Sequence, residues 1–186
     1  KNGSGTLTLT YGTNTYSGGT TINVGTVTFP AFNVNTTTIL GTGSVTLNSG
    51  ATLGCNRTYL PNSITFNGGT LTSGNSFVST LAGPITLGAT PTFNITGGFS
   101  VTGNVSGPGG IIKTGGSTVP FSGSNSFTGA LVINAGTLSA ASLNSISGGT
   151  PTSNLGAPTN AANGTISLGS ATTAGAFTYT GPGETT

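Results

Sequence analysis

Histidine, methionine and tryptophan are missing from this 186-residue chain, cysteine occurs once, and only Lys1, Arg57, Lys113 and Glu184 carry charge. These absences remove most catalytic chemistry. General acid–base work draws mainly on His, Asp, Glu and Lys, and paired-carboxylate hydrolysis needs two acids flanking one bond. Glu184 stands alone. A structural or catalytic metal needs three or four ligands, and Cys55 has no candidate partner, so no catalytic residue, metal site or cofactor is predicted. One cysteine also excludes an internal disulfide. Three scattered basic residues make no patch of the kind that holds nucleic acid. No apolar run approaches the ~20 residues of a membrane span, so no membrane insertion is expected. No charged-then-apolar signal segment precedes the pattern that begins at Lys1, which reads as a mature or excised segment. Disorder, the obvious reading of a Gly-, Ser-, Thr- and Asn-rich chain, conflicts with a positive mean hydropathy and almost no net charge.

What the chain has instead is alternation. Apolar residues recur with period two in Thr6–Thr10, Gly25–Phe29, Gly43–Asn48, Ser63–Phe66, Gly69–Thr72, Pro84–Gly88, Phe99–Thr102, Gly164–Leu168 and Ala176–Thr180. Each burst is short and bounded by Gly, Asn, Ser or Pro. That is the pattern of half-buried strands, with β-branched or aromatic residues on one face and hydroxyls on the other. No window offers a capped helix of period 3.6. The chain reads as all-β.

Internal repetition narrows the architecture. Gly18 to Val27 aligns with Gly129 to Leu138, placing Ile22 on Ile133, Asn23 on Asn134 and Gly25 on Gly136. Upstream, Asn14 and Tyr16 align with Asn125 and Phe127, Gly18 aligns with Gly129, and Lys1-Asn2-Gly3 aligns with Lys113-Thr114-Gly115 if Tyr11 is a single insertion. These twelve paired positions from Asn14 to Gly136 are the predicted structural sites. Between them the alternating unit recurs about every 20 residues, which suits coils stacked at the ~4.8 Å strand spacing. A β-solenoid of about nine coils follows, with like side chains piled in interior ladders, Asn amide ladders at corners and Gly where the chain turns. A Greek-key sandwich is the competing architecture.

Lys1-x-Gly3-x-Gly5-Thr6-Leu7-Thr8-Leu9, followed by Asn14-Thr15-Tyr16-Ser17-Gly18-Gly19-Thr20-Thr21-Ile22-Asn23-x-Gly25-Thr26, resembles the autotransporter-associated β-strand repeat, also called the passenger-associated transport repeat. Lys113 to Leu138 is similar to a second, degenerate copy, with Pro120 inside its first strand and Ala130-Leu131 in place of Gly-Thr. Asn154-Leu155-Gly156, Phe177 to Gly181 and Gly183 to Thr186 resemble the spacer between such repeats. The resemblance implies a single-stranded right-handed parallel β-helix in a secreted or surface-attached bacterial passenger, a stalk supporting other modules or assisting its own export. It supplies no catalytic residues.

On this reading residues 1–186 form one continuous solenoid segment with repeat anchors at 1–29 and 113–140. The expected role is non-enzymatic: an extracellular stalk or fibre for adhesion, spacing or matrix, with an adhesin-type module binding glycan or protein as the alternative. The ends are expected to continue into further coils or to pair end to end. Cys55 reads as a buried ladder residue, since Arg57 is no base, and Lys1 and Lys113 read as solvated strand ends. Tyr11, Tyr16, Tyr59 and Tyr179 could stack on sugars, but ladder packing accounts for most of the aromatics. Sequons at Asn2, Asn35, Asn56, Asn94, Asn104 and Asn163 are what the composition would give. The sets Thr6/Thr8/Thr10, Thr26/Thr28 and Thr70/Thr72 could order water for ice binding. Outward β-propensity explains them more simply, because they do not recur at one strict period.

Overall fold

The computed structural model describes residues 1–10, 13–30, 38–146 and 152–182. Tyr11, Asn35, Glu184 and the last part of the spacer resemblance lie outside them. The first coil contributes β1 (Thr6–Thr8), and the second β2 (Thr20–Ile22) and β3 (Gly25–Thr28). Three-stranded coils follow: β4 (Val45–Asn48), β5 (Ala51–Gly54) and β6 (Tyr59–Leu60), then β7 (Ile64–Asn67), β8 (Thr70–Ser73) and β9 (Ser79–Leu81). Next come β10 (Ile85–Ala89), β11 (Thr92–Ile95) and β12 (Phe99–Val101), then β13 (Val105–Ser106), β14 (Ile111–Thr114) and β15 (Thr118–Phe121). The last coils hold β16 (Leu131–Ile133), β17 (Gly136–Ala140), the one-turn helix α1 (Ala161–Gly164), β18 (Ile166–Leu168) and β19 (Gly175–Tyr179).

Every strand-to-strand pairing is parallel, and the strands fall into three sheets of eight, five and six. The chain visits the five-stranded, eight-stranded and six-stranded sheets in turn, so each of the four complete coils from β4 to β15 adds one rung to each face. This is an all-β parallel β-solenoid. The sandwich alternative is excluded by the parallel ladders, and all nine alternating bursts lie on strands. α1, capped by the Asn160 side chain accepting from the Asn163 N–H, is a small helix that the alternation did not announce.

The eight-stranded sheet holds eight rungs, fewer than the nine coils expected from an even division of the chain. The reason is in the register. Thr6 pairs with Thr26, Thr26 with Thr52, Thr52 with Thr70 and Thr70 with Thr92, then Ile112 with Val132 and Val132 with Ser167. The steps are unequal because spacers at 30–37 and 141–152 lengthen two of the coils.

Alternation in each strand fixes what points inward. In the eight-stranded sheet the inward column runs Leu7, Val27, Leu53, Leu71, Phe93, Lys113, Ile133 and Leu168. In the five-stranded sheet Ile22, Leu47, Phe66 and Leu87 stack, and in the six-stranded sheet Leu60, Leu81, Val101, Phe121 and Ala140 do. Most of these are fully buried, and fully burying a Leu or Phe side chain contributes about 1.5–3 kcal/mol. Phe66 and Phe93, from adjoining faces, meet with ring centroids 5.5 Å apart. Pro120 sits in β15 without an N–H to give, and β12 accordingly pairs with β15 only at Val101–Phe121.

Candidate functional site

The residues that repeat in sequence build the same corner twice. In a parallel coil the carbonyls at a corner turn away from the ladder and need other donors. Here a lysine supplies them. The Lys113 ammonium donates to the carbonyls of Thr114 (2.7 Å), Gly115 (2.6 Å) and Ala135 (3.1 Å). The Lys1 ammonium donates to the aligned carbonyls of Gly3 and Val24, the latter at 3.1 Å. The backbone beneath is alike too: the Asn23 N–H donates to the Lys1 carbonyl at 2.9 Å and the Asn134 N–H to that of Lys113 at 2.8 Å.

Lys113 is thus not a solvated strand end. It lies between Phe93 and Ile133 in the inward column and is 1% exposed. Its aliphatic stem continues the apolar ladder while its three N–H donors close on main-chain oxygens. Burial lowers its pKa from the usual lysine range to about 8. Gly25 and Gly136 complete the corners, both with positive φ (77° and 69°). A Cβ on Gly136 would run into the carbonyl oxygen of Gly115, and one on Gly25 into that of Gly3, so the clamp requires glycine there.

Most of the remaining paired positions also contact main chain or core. Ile22 and Ile133 are both 0% exposed. Phe127 is buried and its partner in the alignment, Tyr16, is 41% exposed, so the aromatic is an interior stack in the second copy only. Gly129 lies against the backbone of Gly109 and Gly110, whereas Gly18 has open space around it. Asn14 and Asn125 donate their side-chain amides to the carbonyls of Ile39 (2.7 Å) and Asn154 (2.6 Å). Asn23 is one rung of an amide ladder: it donates to Asn2 (2.6 Å), Asn48 donates to it (2.6 Å), and Asn67 donates to Asn48 (2.9 Å). Asn134 takes no part in such a ladder; its carbonyl accepts from the Thr173 hydroxyl at 2.7 Å.

The two copies do not face the same way. β2 and β3 belong to the five- and eight-stranded sheets, and their counterparts β16 and β17 to the eight- and six-stranded sheets. From β3 to β16 the eight-stranded sheet passes through β5, β8, β11 and β14. The second copy therefore sits five rungs and one face on from the first, and the repeat is not a whole number of coils.

Other candidate side chains fall into place around this frame. Cys55 is fully buried and desolvation pushes its thiol up to about 12, which leaves it a packing residue. The Arg57 guanidinium stacks on Phe77, 4.0 Å from the ring centroid, with Tyr59, Phe77 and Val78 exposed. Among the described residues there is no group of three or more His, Cys, Asp or Glu, and no helix is long and apolar enough to cross a membrane. The threonine pairs hold a finding against expectation. Unequal spacing does not scatter them: Thr6, Thr26, Thr52, Thr70 and Thr92 stack in one outward column. The second column of each pair is broken by Gly54 and Asn94.

A family model described as passenger-associated-transport-repeat matches residues 1–29 and 111–140. Comparison with curated proteins finds no match, and comparison with solved structures finds none. Both matched segments coincide with the lysine-clamped corners, and the matched spans take in both clamp lysines and both positive-φ glycines. The chain is a parallel β-solenoid in which two segments, 1–29 and 111–140, are similar to the passenger-associated-transport repeat.

Proposed function

We propose that this solenoid is a non-enzymatic strut of a protein exported to the cell surface, an extended stalk or fibre that serves adhesion, spacing or extracellular matrix. One observation carries the reading. Two pairs of polar groups that recur in both repeats, the Lys1 and Lys113 ammonium groups and the Asn14 and Asn125 amides, are engaged with main-chain carbonyls. The repeat thus uses its polar chemistry to hold coils together, which is what a load-carrying rod needs. Stacking further coils on the edges of β1 and β19, or pairing solenoids end to end, would extend the rod in the same way. Electron microscopy of the purified chain tests this: filaments or end-on pairs are expected, and short discrete particles at high concentration count against it. Export is tested by fusing the chain to a surface translocator with an epitope at its far end. The epitope should be antibody-accessible on intact cells and lie closer to the surface when coils are deleted.

A second reading, a recognition module for glycan or protein, is favoured by the exposed Tyr59 and Phe77 beside Arg57, since aromatic faces and a guanidinium suit sugar rings and acidic groups. A glycan array separates the two. Binding lost in Phe77→Ala would establish recognition, and an array blank across sugar classes would remove it.

A further inference from the structure

In each repeat a spacer separates the last strand from the next rung: 30–37 after β3, and the longer 141–152 after β17. The family match ends before both returns, yet the returning segments are alike. Thr38-Ile39-Leu40-Gly41 and Ser153-Asn154-Leu155-Gly156 meet the repeat through three matching hydrogen bonds, although the bridge is parallel in the first copy (Thr13 with Thr38) and antiparallel in the second (Asn125 with Ser153). In the first copy the Asn14 N–H donates to the Thr38 carbonyl (3.0 Å), the Asn14 amide to Ile39 (2.7 Å), and the Thr42 N–H to the Tyr16 carbonyl (3.0 Å). In the second the Asn125 N–H donates to the Ser153 carbonyl (2.7 Å), the Asn125 amide to Asn154 (2.6 Å), and the Ala157 N–H to the Phe127 carbonyl (2.9 Å). Gly41 and Gly156 both have positive φ and lie against Tyr16 and Phe127, where a Cβ would strike carbonyl oxygen and ring. Leu40 is fully buried and Leu155 nearly so.

We propose that each passenger repeat is a loop-insertion joint, in which Asn14 or Asn125 and the aromatic residue two places on form a lock that receives the returning segment. The lock fixes the register of the next coil whatever the length of the spacer. It lets the solenoid accept an inserted spacer at each repeat, and because the second copy is set one face on, the chain enters the two spacers from different sheets, β3 and β17. The two spacers differ in length and are closed by the same contacts, as such a joint requires; loop-closure entropy grows only slowly with length.

The test inserts Gly-Ser-Gly-Ser between Gly148 and Gly149, in the second spacer, and in a separate variant between Gly97 and Gly98, a corner where the backbone is in contact with Asn75 and Phe77. The spacer insertion is expected to leave the thermal midpoint within about 2 °C, and the corner insertion to lower it by more than about 8 °C. Asn125→Asp keeps the oxygen that accepts from the Val105 N–H (2.7 Å) but has no donor for Asn154. In it, and in Gly156→Ala, the Ala157 amide should exchange with solvent at least tenfold faster, with the β8 amides unchanged. Equal damage from the two insertions, or Ala157 exchange unchanged in both substitutions, overturns the proposal; should the substitutions fail to fold, the pair of insertions decides it alone.

Discussion

At the scale of the residue, Lys113 shows how far one buried cation shapes this chain. Its pKa is about 8 when folded and near 10.5 when exposed. Between those values the unfolded chain binds more protons than the native one, so stability rises as pH increases through the window and is level on either side. Urea midpoints for the wild type and Lys113→Met at about pH 7.5, 9 and 10.5 check this, and the rise should be missing from the variant. At neutral pH Lys113→Met should lose about 1–3 kcal/mol, because the carbonyls of Thr114, Gly115 and Ala135 are left without that donor. The inward place of Lys113 was legible in principle. Ile111 and Lys113 share parity in one strand, and period two sends both to the core. The general rule that charge faces water hid it, because the carbonyls that receive the ammonium come from a corner two residues away and from the next coil.

Gly18 and Gly129 make the same point about aligned residues in unlike surroundings. Gly18→Ala should change stability by no more than about 0.5 kcal/mol, since it meets open space. Gly129→Ala should cost several times as much, because its Cβ would enter the backbone of Gly109 and Gly110. Thermal denaturation of the two variants checks both, and equal effects would mean that the coils do not approach as described.

At the scale of the element, the alternating bursts were readable as strands because each needs only its own neighbours in sequence. Their number and stacking were less so. Thr92 to Ile95 reads T-F-N-I and Tyr59-Leu60 is only two residues long; such segments become strands because adjacent coils supply ladder partners, on both sides for β11 and from β9 alone for β6. The corner Asn ladder is an element of the same kind. Asn48 both donates to Asn23 and accepts from Asn67, while Asn67 ends the run because the next coil bulges at Gly88, with Ala89 paired to Asn67. Asn48→Ala therefore removes two amide bonds and should cost about 1–2 kcal/mol. Asn67→Ala removes one and should cost about half as much. Chemical denaturation distinguishes the two. The return segments at 38–41 and 153–156 escaped the sequence comparison for an equally physical reason. Spacers of unequal length put them out of step with the aligned repeats, although three of the hydrogen bonds that receive them correspond.

At the scale of the whole molecule, a stack of coils joined only to its neighbours is nearly one-dimensional. A rung in the middle is held by ladder bonds and interior contacts on both sides, and a terminal rung on one. The inward column records this: Leu53 and Leu71 are fully buried, whereas Leu7 at one end is 44% exposed and Leu168 at the other 55%. Opening free energies should accordingly grade along the axis rather than share one global value. Native-state hydrogen exchange is expected to find the amides of β8 and β11 slowest, with β1 and β19 at least about a hundredfold faster. Adding a folded coil at either end should slow the terminal strand it covers and leave the centre nearly unchanged. A uniform rate across all rungs would instead mean that the solenoid opens as one cooperative block. In that case its length would contribute to stability as a single core does, and stacked neighbour contacts would no longer explain how so uncharged a chain holds its shape.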